Sequence, residues 1–127
     1  MELNNVFLER LGVTLSEWRD DFVKLELLLS ADHSNRTGVA QGGVIATLLD
    51  AACGYAGLFW PDENRLEHST TITLSVNYIA PVEIFSMVTA VGEVTGRGRN
   101  IYFSSAKVYS PTGNVIAMAQ GAFKRQK

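Results

Sequence analysis

The chain has 127 residues, of which 46% are apolar and 19% are charged, and its formal net charge at pH 7 is −2. That length and apolar fraction predict one domain with one core, spanning residues 1–127. The weak negative charge favours neither nucleic acid nor an anionic membrane surface as a partner. The single cysteine, Cys53, allows no internal disulfide and no zinc cluster built from cysteines, which is typical of a reducing cytoplasm.

No apolar run is long enough to span a bilayer, and the first residues lack the basic start and apolar stretch of a secretory signal. We therefore expect a cytoplasmic protein without a membrane span. No repeat or low-complexity tract interrupts the chain, which also favours one continuous domain.

The first expected elements are a short helix and a strand. The spacing of Val6, Phe7 and Leu11 predicts an amphipathic helix that ends at Gly12, where a left-handed residue costs little. Residues 22–29 alternate apolar and charged side chains, as a half-buried strand requires. A stretch rich in turn formers follows, and the one long helix is expected within residues 38–60.

Four further strands are expected after the turn signals Pro61, Asp62, Glu63 and Asn64. These strands cover residues 69–79, 85–95, 100–110 and 115–123. The sequence Pro-Thr-Gly-Asn at residues 111–114 predicts a tight hairpin turn between the last two strands.

Alternation in the first of these four strands places Ile72 and Tyr78 on one face and Thr71 on the other. Short links between successive strands favour antiparallel pairing. The expected architecture is therefore α+β, with a five-stranded antiparallel sheet wrapped around one long central helix.

The long helix carries a stripe of small residues around Asp50. Positions three, four and seven apart share a face, and this face holds Gly43, Ala46, Thr47, Asp50, Cys53, Gly54 and Gly57. The opposite face carries Ile45, Leu48, Leu49, Ala52 and Phe59 and is expected to pack on the sheet. Each glycine inside a helix costs roughly 1 kcal/mol relative to alanine. The stripe fits equally a close packing interface and a ligand channel with a carboxylate in its wall.

The turn Gln41-Gly42-Gly43 lies at the expected start of this helix. Backbone N–H groups there have no intrahelical partner, and they point toward an incoming negative charge as an oxyanion hole does. Gly43 and Asp50 are seven residues apart, which corresponds to roughly 10 Å of axial rise. One reacting carbonyl cannot easily reach both groups. We therefore expect a site shared between two subunits of a dimer.

The segment HSNRTGVAQGGVIATLLDAACG resembles the signature of hotdog-fold acyl-CoA thioesterases of the phenylacetic-acid-degradation type, within the 4-hydroxybenzoyl-CoA thioesterase superfamily. The resemblance continues through the segment SVNYIAP and covers nearly the entire chain. It implies a hotdog fold, assembly into homodimers and further into homotetramers, and hydrolysis of a fatty or aromatic acyl-CoA to the free acid and CoA. It implies no metal and no cofactor.

The resemblance also implies roles for individual residues. Asp50 matches the catalytic carboxylate, acting either as the base that activates water or as the nucleophile. Gly42 and Gly43 match the backbone donors to the thioester oxygen. Asn35 would position the substrate carbonyl or the water, and the hydroxyl of Thr71 would help to hold the water.

Two further features follow from the same resemblance. Gln41 stands where the family most often has histidine, so the titratable ring is absent while a hydrogen-bonding side chain remains. The segment Arg97, Gly98, Arg99 and Asn100 matches the part that meets the CoA phosphates in related enzymes, although a solvated hairpin tip accounts for it equally well.

Three other functions stay open. A purely structural dimerisation module ranks last, because it leaves the carboxylate of Asp50 among small residues without a ligand. Loss of turnover through Gln41 would leave a non-catalytic protein that binds acyl-CoA, although the retained Asp50 argues against this reading. A hydratase or dehydratase acting on the acyl chain needs a histidine paired with an acid, and the long helix has no histidine.

Overall fold

A computed structural model describes residues 2–62 and 67–126. The turn predicted around Glu63 and Asn64 therefore lies outside the described residues. The elements, in chain order, are helix α1 (Val6–Leu11), strands β1 (Thr14–Arg19) and β2 (Phe22–Leu28), a short 3₁₀ turn (Ala31–His33), helix α2 (Gly42–Ala56), and strands β3 (His68–Tyr78), β4 (Met87–Arg97), β5 (Ile101–Tyr109) and β6 (Val115–Gln126).

Six described strands form one open sheet in the order β1-β2-β4-β5-β6-β3, and every neighbouring pair is antiparallel. The α+β architecture with one long helix on an antiparallel sheet is confirmed. The predicted count of five strands is wrong, because β1 was not recognised. A register shift between Leu15 and Glu17 separates the two inward-facing side chains, Leu15 and Trp18, by three positions. That spacing hides the two-residue period by which a strand is detected.

Helix α1 follows the prediction closely. The side chain of Asn5 accepts a hydrogen bond from the Leu8 N–H at its start, and Gly12 ends it in the left-handed conformation at φ 98°. Beyond α1, the hydroxyl of Tyr55 in α2 donates to the Leu3 carbonyl at 2.6 Å, and the Trp18 indole donates to the Tyr55 carbonyl at 2.8 Å. These bonds hold the N-terminal segment and β1 against one side of α2.

Helix α2 packs on the inner face of the sheet, where it contacts β2, β3, β4, β5 and β6. It lies against β4 at Gly92, where a Cβ atom would lie 2.1 Å from the Ala52 carbonyl oxygen. Only glycine fits there. Leu48 and Leu49 are fully buried, as predicted for this face. Among the described residues, no helix is long and apolar enough to cross a membrane.

The stripe of small residues on α2 has two different surroundings. Cys53, Gly54 and Gly57 are buried, which favours close packing at this end of the stripe, although Gly54 also borders a cleft at its edge. A Cβ atom at Gly57 would lie 2.2 Å from the Tyr102 ring, and one at Gly54 would lie 3.8 Å from Phe123. Small residues are needed at this end of α2 because aromatic side chains of the sheet pack against it.

Strand β3 is an edge strand with a bulge at Ile72. Thr71 pairs with Phe123 and Thr73 pairs with Ala122, so Ile72 is an extra residue in β3. The bulge turns Thr71 toward the helix side of the sheet, which Phe123 and Tyr78 also face, and leaves Ile72 50% exposed. The regular alternation predicted for this strand, with Thr71 and Tyr78 on opposite faces, is therefore wrong.

Candidate active site

Asp50 lies in the middle of α2 with its side chain partly exposed beside the start of β3. The Thr71 hydroxyl donates to Asp50 Oδ1 at 2.8 Å. A hydroxyl has one proton and two lone pairs, so Thr71 can still accept a hydrogen bond while it holds the carboxylate. The second carboxylate oxygen remains available to a water molecule or a substrate.

The pair lines an open cleft of about 710 Å³, which we call the Asp50 cleft. α1, the middle of α2 and the start of β3 contribute to its walls. Trp18, Ala51 and Leu58 provide apolar surface, while Ser69 and His68 provide polar groups beside Thr71. The cleft thus combines a held carboxylate with apolar surface for an organic substrate.

The turn at Gly42 and Gly43 begins α2 as predicted. Gln41 caps the helix with its carbonyl, which accepts from Val44 at 3.0 Å, and its own N–H donates to the His33 carbonyl at 2.7 Å. Within the described chain, the N–H groups of Gly42 and Gly43 have no hydrogen-bond partner. A Cβ atom at Gly43 would meet nothing within 4 Å. The two donors lie at the positive end of the helix dipole, and the space beside the Gly43 Cα is open.

Sequence reasoning missed a side chain that contacts this turn. The Tyr78 hydroxyl donates to the Gly42 carbonyl at 2.7 Å. No local sequence signal indicates this bond, because it joins the end of β3 to a residue 36 positions earlier.

Gln41 and Asn35 lie on the loop before α2 and differ in their surroundings. The Gln41 side chain is exposed and makes no capping hydrogen bond. The Asn35 side-chain oxygen accepts from the Thr37 N–H and hydroxyl, both at 2.9 Å, and from the Val39 N–H at 3.2 Å. Asn35 therefore shapes its own loop through its oxygen, and only its amide N–H₂ group is left for a ligand.

Asn35 and Gly42 line a second cleft of about 330 Å³, which we call the Gly42 cleft. Tyr78 and Pro81 also line it, whereas Asp50 and Thr71 do not. One chain therefore does not bring the predicted residues into one site. It places a carboxylate and a hydroxyl in one cleft, and the helix N-terminus and an amide in the other.

The predicted CoA-binding segment lies at the hairpin between β4 and β5, and all of its residues are exposed. Arg97 forms an ion pair with Asp21, so part of its charge is compensated within the chain. The Gly98 N–H donates to the Ile101 carbonyl at 2.6 Å, and the Asn100 carbonyl accepts from the Arg125 N–H at 2.7 Å. Arg99 has no described partner.

Electrostatics separate Asp50 from the nearby cysteine. Burial, with a further contribution from the charge of Asp50, raises the pKa of the Cys53 thiol from 9.0 to about 12. Cys53 is therefore a neutral packing residue at ordinary pH and not an activated nucleophile.

Among residues 2–62 and 67–126, no group of three His, Cys, Asp or Glu side chains is arranged to hold a metal ion.

Known proteins are similar to this chain in sequence and in fold. The thioesterase superfamily model matches residues 37–117. Mouse acyl-coenzyme A thioesterase 13 is 23% identical over 109 residues, which are 85% of this chain and 76% of the mouse protein. The PaaI protein from the phenylacetic acid degradation operon of E. coli superposes with a TM-score of 0.83 at 17% identity, covering 98% of this chain and 86% of PaaI. A hypothetical thioesterase from Streptococcus pneumoniae, solved with coenzyme A, has a TM-score of 0.78 at 21% identity, covering 90% of this chain and 85% of that one.

One long helix on an antiparallel sheet, in this strand order, is the hotdog fold of thioesterases. The chain belongs to the thioesterase superfamily, since the family model matches well over half of it. The family resemblance predicted from the sequence is confirmed, and the protein is a thioester hydrolase.

Proposed function

We propose that this protein hydrolyses a fatty or aromatic acyl-CoA to the free acid and CoA, with Asp50 as the general base. The observation that carries the proposal is the hydrogen bond from Thr71 to Asp50 in the wall of the Asp50 cleft. It holds a carboxylate beside apolar surface in a chain of the thioesterase superfamily.

The pair suits the activation of a water molecule. Thr71 donates its proton to Oδ1, so its oxygen accepts one hydrogen of a water while the carboxylate accepts the other. Asp50 takes a proton as the water oxygen bonds to the thioester carbonyl carbon. The C–S bond of the resulting tetrahedral oxyanion then breaks, and the CoA sulfur leaves as a thiolate that regains a proton.

The oxyanion requires donors that one chain does not place beside Asp50. The N–H groups of Gly42 and Gly43, which have no partner in the described chain, suit this role, but neither glycine lines the Asp50 cleft, and Gly42 lines the other one. A second copy of the chain supplies the missing half in our proposal, so the protein acts as a homodimer. Further pairing of dimers would give the homotetramer expected from the family resemblance.

The exposed edge of β3 supports this dimer. Thr71 lies near one end of the strand and Tyr78 at the other, and both face the helix side. Antiparallel pairing of two β3 edges about a two-fold axis near Leu74 and Ser75 would bring Thr71 beside Tyr78 of the partner subunit. Asp50 would then lie close to the helix N-terminus that Tyr78 of the partner subunit contacts. Such pairing would also cover two strand edges that are otherwise unpaired.

Two similar proteins and one exposed segment support CoA as part of the substrate. The mouse relative is named for its action on acyl-coenzyme A, and the S. pneumoniae structure was solved with coenzyme A. We propose that the exposed segment Arg97, Gly98, Arg99 and Asn100 meets CoA phosphates, with Arg99 as its uncompensated charge. Gln41 and the Asn35 amide group contact the substrate carbonyl or the water in this proposal.

The test is the release of free CoA thiol from short, medium, long and aromatic acyl-CoAs by the wild type and by Asp50→Asn. We expect kcat to fall by about two orders of magnitude or more in the variant, because the amide cannot take a proton. Asp20→Asn, which alters an exposed carboxylate in the turn after β1, is the matched control and should retain wild-type turnover.

Three outcomes are distinguishable. Loss of turnover only in Asp50→Asn supports the proposal and shows the acyl preference. Full turnover in Asp50→Asn removes Asp50 from the mechanism. No turnover by the wild type, with CoA bound in a calorimeter, identifies instead the non-catalytic acyl-CoA-binding protein that Gln41 leaves open.

A further inference from the structure

We propose that Tyr78 is a positioning residue that orients and polarises the N–H of Gly43 for the oxyanion. This inference rests on the proposed function, because it assigns a cause to the strength of the proposed oxyanion donor. The starting observation is the hydrogen bond that the Tyr78 hydroxyl donates to the Gly42 carbonyl at 2.7 Å.

The Gly42 carbonyl and the Gly43 N–H belong to one peptide unit. That unit is planar and trans, so its C=O and N–H point in opposite directions and move together. A donor that fixes the carbonyl therefore also fixes the N–H. It also draws electron density toward the carbonyl oxygen, which makes the N–H a stronger donor. Two successive glycines leave this turn with unusual backbone freedom, and an external anchor limits that freedom.

The space beside Gly42 is filled by Tyr78, whereas the space beside Gly43 is open. A Cβ atom at Gly42 would lie 3.4 Å from the Tyr78 hydroxyl oxygen, so the tyrosine closes one side of the peptide unit. A Cβ atom at Gly43 would meet nothing within 4 Å. Tyr78 thus contacts this peptide unit at Gly42 and its carbonyl, whereas the space beside Gly43 is open and the Gly43 N–H has no partner in the described chain.

A purely structural role explains this contact less well. The Tyr78 side chain is 56% exposed, so water competes for its hydroxyl and the bond contributes little to the stability of the chain. Gly42 also lies in the first turn of α2, where its carbonyl already has an intrahelical donor four residues later. The tyrosine therefore adds a second hydrogen bond at the peptide unit that carries the proposed donor.

The experiment compares Tyr78→Phe with the wild type on the best acyl-CoA substrate. Phenylalanine keeps the ring beside Gly42 and removes only the hydroxyl. We expect kcat to fall about three- to tenfold, with KM changed less than twofold, because the bond acts on the charge that develops in the transition state. Tyr109→Phe removes a hydroxyl that makes no described hydrogen bond and should leave both constants unchanged.

Two further measurements separate positioning from stability. The Gly43 amide proton should shift upfield in the NMR spectrum of Tyr78→Phe, because its peptide unit loses polarisation. Replacement of Tyr78 by 3-fluorotyrosine, a stronger donor, should keep kcat at or above the wild-type value.

The result that overturns this inference alone is hydrolysis by the wild type with an unchanged kcat in Tyr78→Phe. A lower melting temperature with an unchanged kcat also overturns it and leaves Tyr78 a structural residue. Absence of hydrolysis by the wild type overturns the proposed function, and this inference falls with it.

Discussion

Thr71 donates its hydroxyl to Asp50 at 2.8 Å, although the two residues are 21 positions apart and lie on different elements. The contact depends on the bulge at Ile72, without which Thr71 would face the opposite side of the sheet. An irregularity in an edge strand therefore determines the surroundings of the proposed base.

Thr71→Val tests this contact directly. Valine keeps the β-branched shape and removes the hydroxyl, so the water loses one of its two proposed partners. We expect kcat to fall about tenfold while the fold is retained, as measured by thiol release and by circular dichroism.

Thr73→Val is the matched control for that variant. Thr73 is two residues further along β3 and faces away from the helix, so the same change should leave kcat unaffected. Equal losses in the two variants would show that strand β3 tolerates neither change and would remove the specific role of Thr71.

A single turnover in H₂¹⁸O distinguishes the two chemical roles of Asp50. If Asp50 acts as a base, the attacking oxygen comes from water, and the acid released in the first turnover carries one ¹⁸O atom. If Asp50 is the nucleophile, water attacks an anhydride, and the label is expected in the Asp50 side chain when water reacts at the aspartyl carbon. We expect labelled acid and an unlabelled enzyme, measured by mass spectrometry with enzyme in excess over acyl-CoA.

Much of the fold was predictable because its signals are local. The periodicity of α2, the alternation of β2 and the turn at residues 111–114 all appear in the structure, where the Ser110 N–H donates to the Asn114 carbonyl at 2.8 Å. Strand β1 was missed because its bulge removes the two-residue period. Irregular pairing depends on the partner strand, which a single segment of sequence does not reveal.

Part of the site was predictable from the sequence, because that part depends on the geometry of a single helix. The distance between Gly43 and Asp50 follows from helix geometry alone. In the structure Asp50 lines one cleft, and Gly42, the neighbour of Gly43, lines the other. Burial of Cys53 was not predictable from the helix, because it depends on which side chains of β5 and β6 reach that face. The contact of Tyr78 with Gly42 was not predictable from the sequence either, because the two residues are 36 positions apart and meet only in the fold.

Cys53 provides a test of the burial of α2. Burial raises the pKa of its thiol to about 12, above the ordinary value of 9.0, so the folded state holds this proton more tightly than the unfolded state. This contribution to stability is complete below about pH 9 and is lost as the pH rises toward about 12. The free energy of unfolding should therefore fall more steeply with pH in the wild type than in Cys53→Ala. Parallel curves would contradict the burial of this thiol.

The same variant tests whether the thiol takes part in the chemistry. Cys53→Ala should keep kcat/KM within about threefold of the wild type, because a neutral buried thiol is not a nucleophile. A loss comparable with that of Asp50→Asn would refute the assignment of Cys53 to packing.

Gly43→Ala tests whether the open space at the helix N-terminus is used by substrate. Nothing described lies within 4 Å of the new methyl group, and alanine favours a helix over glycine by roughly 1 kcal/mol. We expect an unchanged or higher melting temperature together with a kcat/KM at least about tenfold lower, because the methyl group enters the space proposed for the thioester oxygen. An active, stabilised variant would show that this space is not part of the site.

Mixed dimers test the shared site most directly. We expect Asp50→Asn and Gly43→Val homodimers to be inactive, whereas a mixed dimer of the two chains should recover about half of the wild-type activity. Only in a shared site does the intact Asp50 of one chain meet the intact Gly43 of the other. The reciprocal control places both changes in one chain and pairs it with a wild-type chain. That dimer should be inactive if the sites are shared and about half active if each chain carries its own site. Differently tagged chains, purified through both tags and checked for size, allow the two mixed dimers to be compared by thiol release.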